Sequence, residues 1–191
     1  MHSCLLDASP LRAEPSAPVL PCAYLVRRAI HACEFDEAYA LRRAVFCVEQ
    51  GIFLRDDRDA IDDRAQLLVA QACEAGMPTQ VVGTVRIHEA EPGVWWGSRL
   101  AVHASFRTLG HLGATLIRLA VSSAHAQGCE RFMAQVQPQN AALFERLHWQ
   151  PLREVLAHGR PHVEMQASLA HYPPCHDPVS GFVSRRSRGA S

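Results

Sequence analysis

Apolar and polar positions along the chain switch between a two-residue and a helical period. Tyr24–Ile30 has strand composition, and Glu34–Gln50 places Phe35, Ala38, Leu41, Val45 and Val48 at helical spacing, with Gly51 set to end the helix. The acidic run Asp56–Asp63 reads as a loop or short helix. Leu67–Cys73 and Val81–His88 read as a hairpin joined by the turn-rich AGMPTQ, and Val94–Val102 as a further strand. Leu112, Leu116, Leu119, Ala120 and Ser123 then form one helical stripe, in a helix closed by Gly128. Arg131–Val136 predicts a strand, Asn140–Leu147 a short helix, and Trp149–Leu156 with His162–Leu169 a closing strand pair. This order, β-α-β-β-β-α-β-α-β-β, predicts an α/β (α+β) fold with a mixed sheet and helices on both faces.

The 191 residues are enough for one domain, expected over 23–172. The Pro/Ala/Ser-rich stretch 1–22 reads as a flexible arm, and 173–191 as a solvated tail. Nineteen basic and nineteen acidic side chains cancel, so no global field draws the protein to nucleic acid or anionic lipid. A nucleotide-like ligand must therefore be caught locally. Seven cysteines without pairing rhythm and no visible signal peptide lead to an expectation of free thiols in the cytoplasm. No apolar run approaches the roughly 18 residues of a membrane span.

Candidate chemistry begins at RTLGHLGATLI, Arg107–Ile117, between the strand ending at Val102 and the following helix. Its glycines, Gly110 and Gly113, fit neither a Walker loop nor a dinucleotide fingerprint. What the spacing allows is an anion site. Amides at a helix N-terminus point outward, glycine lets them approach a diphosphate, and Arg107 adds charge. On spacing alone, a bare strand-to-helix turn explains the glycines equally well.

The surrounding segments separate these readings. RLAVHASFRTLGHLGATLI resembles the central signature of the GNAT superfamily of acyl-CoA-dependent N-acyltransferases, QVQPQNAALFERLHWQPL its Asn-to-aromatic element. LRRAVFCVEQGI and GRPHVEM are similar to the opening and closing motifs of one bacterial branch, associated with nitrogen starvation. The resemblance spans about residues 24–170. It implies a mostly antiparallel sheet with a splayed central strand pair, and acetyl-CoA as co-substrate. Leu100, Ala101 and Val102 would pair with the pantetheine arm. Arg107, Leu109, Gly110, His111, Leu112, Gly113 and Ala114 would cradle the pyrophosphate, with Asn140 and Phe144 also against the cofactor.

Three positions depart from the family pattern. The loop has Gly110-His-Leu-Gly113, one residue longer than the usual G-x-G when anchored on Arg107. Trp96 stands where some relatives carry a glutamate base, and Phe144 where many carry a tyrosine acid. The candidate bases are therefore His162, Glu49 and His88, each with a structural role as its alternative. The acidic run would suit a cationic acceptor, and Arg99 reads as an ion-pair partner. His158, His162, His171, Cys175 and His176 lack zinc-site spacing, so no metal is expected. The implied reaction is transfer of an acetyl group to a primary amine by direct attack on the thioester. Two alternatives are a non-catalytic acyl-CoA-binding regulatory module and an autoinducer-synthase-like acyltransferase. Nucleic-acid and membrane partners are not expected, and homodimerisation stays open.

Overall fold

The computed structural model describes residues 23–107 and 111–185. Strand β1 (Ala23–Arg28) leads into helix α1 (Ala32–Arg43), which continues as a π-helical turn over Ala44–Glu49. Strands β2 (Gln66–Glu74) and β3 (Met77–Glu91) form a hairpin, followed by β4 (Val94–Val102). Short helix α2 (Ala104–Arg107) precedes helix α3 (Leu112–His125) and strand β5 (Arg131–Val136). A 3-10 turn at Pro138–Asn140 opens helix α4 (Ala141–Arg146). Strands β6 (Trp149–Ala157), β7 (Arg160–Ala167) and β8 (Phe182–Arg185) complete the order.

All eight strands join one sheet in the order β6-β7-β5-β4-β3-β2-β1-β8. Every described neighbouring pair is antiparallel except β4 with β5. The fold is thus the mixed α+β architecture that the element order implies, and mostly antiparallel as the resemblance implies. β2 explains the layering. Its alternate residues Leu68 and Ala70 pack in the core with α3, while Leu67 and Val69 pack with Ala38 and Leu41 of α1 and Val45 of the π turn. The stripe on α3 is buried throughout, and burying each of its leucines contributes about 1.5–3 kcal/mol. Gly83 lets α3 sit this close, because a Cβ there would stand 2.9 Å from the Leu116 side chain.

Two expectations change. Val48 is 80% exposed rather than part of the α1 stripe. The π turn, in which Gln50 N–H bonds Val45 O, holds an extra residue and rotates Val48 away from the sheet. The expected C-terminal tail supplies β8, which pairs with β1 from Ala23↔Arg185 to Val26↔Phe182. Arg28 N–H also bonds Pro178 O, so hydrogen bonds fix a stretch whose polar composition reads as solvated.

The central strands part halfway along. β4 pairs with β5 only from Val94↔Arg131 to Gly97↔Ala134, while β5 stays with β7 through Val136↔Val163. The parting coincides with a bulge in β4. Thr84 faces Ala101 and Arg86 faces Ser98, so Arg99 and Leu100 together oppose Val85. Arg99 takes φ 54°, a left-handed conformation that costs a non-glycine residue about 1–2 kcal/mol.

Candidate active site

The splay opens a cleft of about 950 Å³ between β4, the start of α3, α4 and the start of β7. On the other side of the parting lies a smaller cavity of about 210 Å³. Gln50, Leu100, Gln137, Asn140, Phe144 and His162 line both, so the two spaces meet at these six side chains.

Strand alternation assigns the main-chain groups of β4. His103 N–H bonds Val82 O on β3, and Val102 O turns the other way to accept from Arg107 Nε at 2.8 Å. With a period of two, Val102 and Leu100 present their N–H groups to the parting, and Ala101 turns towards β3. The α3 terminus borders the same cleft. Its first bond is Thr115 N–H to His111 O, and no side chain caps it, so the amides of Leu112, Gly113 and Ala114 precede the intrahelical ladder. Gly113 lines the cleft, and a Cβ there would meet nothing within 4 Å. These uncapped amides and the open space over Gly113 fit a diphosphate. His111, the N-cap residue, turns its ring edge-on to Tyr24, 6.1 Å between centroids. Leu109 and Gly110 lie outside the described residues. Arg107 borders the cleft, but its guanidinium is paired with Glu49 at 2.5 and 2.7 Å.

The three candidate bases are placed very differently. His162 lies where the cleft and the cavity meet, and its Nδ1 is 3.0 Å from Arg160 O. A carbonyl only accepts, so Nδ1 carries the proton and Nε2 is the accepting nitrogen of the neutral ring. Glu49 borders the cleft, but hydrogen bonds from Arg107 hold its carboxyl below the usual range, which makes it a weak base. His88 is 8% exposed on β3 opposite Trp96, and it lines neither the cleft nor the cavity. Burial, with Arg86 and Arg64 nearby, pushes its pKa down.

Phe144 packs edge-on against Trp149, 5.0 Å between centroids, while bordering both spaces. Asn140 stands at the N-cap of α4.

Three acids of the acidic run are held in ion pairs, while Asp56 and Asp63 are exposed. Asp57 pairs with Arg42 at 2.8 Å and Arg99 at 3.0 Å; Asp62 pairs with Arg42 at 2.6 Å and Arg86 at 2.8 Å. Asp59 bridges Arg86 and Arg99 at 2.6 and 3.1 Å. The Arg42 side chain is fully buried. The three carboxylates therefore tie α1, β3 and the β4 bulge together, and none of them lines either space. Arg99 is an ion-pair partner, as the sequence implies. Among the described residues no group of His, Cys, Asp and Glu is placed to hold a metal ion.

Sequence reasoning passed over Gln50, Gln137 and Arg160. Gln137 Nε2 donates to Gln50 Oε1 at 3.0 Å and Arg160 to Gln50 O at 2.8 Å, joining the π turn to β5 and β7 across the junction. Gln50 and Arg160 lie within the quoted opening and closing motifs, and Gln137 three residues before Asn140, the only signal available.

A family model described as "Acetyltransferase (GNAT) family" matches residues 29–149. A protein from Lactobacillus plantarum assigned as an N-acetyltransferase superposes with a TM-score of 0.66 at 22% identity, covering 75% of this chain and 97% of its own. An acyl-CoA N-acyltransferase from Pseudomonas aeruginosa gives 0.60 at 20%, over 76% and 99%. FeeM, an N-acyl amino acid synthase from uncultured soil microbes, gives 0.61 at 11%, over 78% and 92%. No match was found among functionally curated proteins. Identities this low speak for the fold alone, whereas the family model covers more than half the chain, including β4, α3 and α4 of the cleft but not β7. On that ground the protein belongs to the GNAT acetyltransferase family and is an acyl-CoA N-acyltransferase.

Proposed function

We propose that the protein transfers an acetyl group from acetyl-CoA to a primary amine by direct attack on the thioester. The observation that carries this reading is the junction, where a cleft of about 950 Å³ and a small cavity share His162, Leu100 and Phe144. The amides of Leu112, Gly113 and Ala114 hold the pyrophosphate, and the edge of β4 pairs with the pantetheine arm. Acetyl-CoA supplies the activated thioester. Leu100 and Phe144 wall the junction with apolar surface suited to a short acyl group.

The chain's own residues then have three tasks. Val102 N–H, turned into the parting, donates to the thioester oxygen as it gains negative charge. His162 Nε2 removes the proton that an amine carries at neutral pH. Phe144 has no proton to give, so the imidazolium formed at His162 returns that proton to the departing sulfur, and the second proton on the attacking nitrogen leaves to solvent as the amide forms. One side chain thus serves as base and then acid.

The test is thiol release from acetyl-CoA with a panel of amines, alongside longer acyl-CoAs. Acetylated amine in step with free thiol supports the reading. Tight binding of acetyl-CoA without any product would make the protein a regulatory acyl-CoA-binding module. Preference for long acyl chains would favour the autoinducer-synthase-like alternative.

A further inference from the structure

The acceptor class follows from what surrounds the smaller cavity, granted the acyl-transfer reading above. On its outer side the cavity is walled by Phe46, Ile52 and Phe53 of the π turn and its exit, and by Trp96, Arg99 and His158. Phe53 stacks edge-on with His158 at 4.8 Å, and the Arg99 guanidinium lies 4.6 Å over the Phe53 ring. No aspartate or glutamate is among the described residues lining it. Asp57, Asp59 and Asp62 are spent on Arg42, Arg86 and Arg99. Arg99, the one permanently charged side chain among the described residues of the wall, is itself neutralised by Asp57 and Asp59.

We infer that the acceptor is a monoamine carried on a flat apolar body, of the arylalkylamine class, with its ring among Phe53, Trp96 and Phe46 and its nitrogen at His162. A second positive charge would lose its hydration with no carboxylate to replace it. At about 210 Å³ the space holds one ring system with a short arm, not a folded protein's peptide segment. The same lack of carboxylates favours the uncharged amine, the form that attacks. Burial and Arg99 likewise hold the neighbouring His158 below its usual pKa, which disfavours a positive charge beside the amine.

The experiment compares phenethylamine and tryptamine with putrescine, spermidine and a lysine-containing peptide, each with acetyl-CoA. Calorimetric titration of phenethylamine into the CoA-loaded protein runs in parallel. The arylalkylamines are expected to exceed the others in kcat/KM by about tenfold or more, the scale of differential apolar burial in a pocket. Trp96→Ala should erase that ratio through KM for the amine while KM for acetyl-CoA stays constant. Ile52→Asp, which adds a carboxylate to the wall, should raise turnover of putrescine. Equal or better turnover of spermidine or the peptide, or an unchanged ratio in Trp96→Ala, overturns the inference and leaves acyl transfer standing. If no amine is acetylated, the acyl-transfer reading falls. The calorimetry then still decides the pocket: phenethylamine binding that Trp96→Ala removes supports it, and no binding refutes it.

Discussion

Asp62→Asn is the most incisive perturbation of the scaffold, because it removes one charge and almost no volume. Asp62 receives bonds from Arg42 at 2.6 and 3.0 Å, from Arg86 at 2.8 Å and from the Asp59 amide at 3.0 Å. The amide variant leaves Arg42, fully buried, with Asp57 alone, and Arg86 with Asp59 alone. Removing one partner of a buried ion pair costs about 3–5 kcal/mol, and the remaining partners place this case near the lower end. For a domain of this size each kcal/mol shifts Tm by roughly 2–4 °C, so a loss of about 6–12 °C is expected by differential scanning fluorimetry at pH 7. The pH dependence gives a second reading. Burial alone would raise the Asp62 pKa, but hydrogen bonds from Arg42 and the Asp59 amide, with the charges of Arg42 and Arg86, bring it below the ordinary value. A carboxyl depressed in the folded state contributes stability above its unfolded pKa, near 3.9, and that stability is lost as pH falls through the folded value. Wild type should therefore lose Tm steeply below about pH 4, and Asp62→Asn more gently. A variant within about 2 °C of wild type at pH 7, or one with the wild-type acid slope, would refute the idea that these charges lock the fold.

Other outcomes follow from the site. His162→Ala should lower kcat by about 10²–10⁴ in the thiol-release assay with KM for acetyl-CoA unchanged, as for loss of a positioned base. Gly113→Ala should raise Tm slightly, since alanine gains about 0.8–1 kcal/mol over glycine in a helix. It should also raise KM for acetyl-CoA, because the new Cβ projects into open space lining the cleft. His88→Gln should leave kcat and both KM values unchanged, since His88 borders neither space. Glu49→Gln breaks a pair that is about two-fifths exposed on each side, so it should cost under about 1 kcal/mol in a urea melt.

Much of the fold is legible because its signals are local. The boundaries of β4 and β5 follow from composition, and the α3 stripe from its period. What escapes the sequence arises between distant elements. Nothing near Arg42, Arg86 and Arg99 announces that one acidic loop will neutralise all three, up to 42 positions away. The β4 bulge is equally silent, since the left-handed residue is an arginine rather than a glycine. The four strand residues Phe182–Arg185 have too little pattern to stand out, and β1 supplies their order. At the site, the motif places His162 in a strand, but only the fold shows it facing both spaces while His88, on another strand, faces neither.

The π turn at Ala44–Glu49 makes chain length, alongside side-chain chemistry, a determinant of the acceptor site. Upstream of it, Ala38 and Leu41 are fixed against the sheet; downstream, Gln50, Ile52 and Phe53 form the cavity wall. One extra residue in a helical turn rotates everything after it by about 100° relative to everything before. Deleting a single residue between 44 and 49 would leave α1 seated and its composition almost unchanged, yet swing that wall out of register. A deletion there that spares Phe46, Ile52, Phe53 and Trp96 should thus abolish the same preference that Trp96→Ala abolishes.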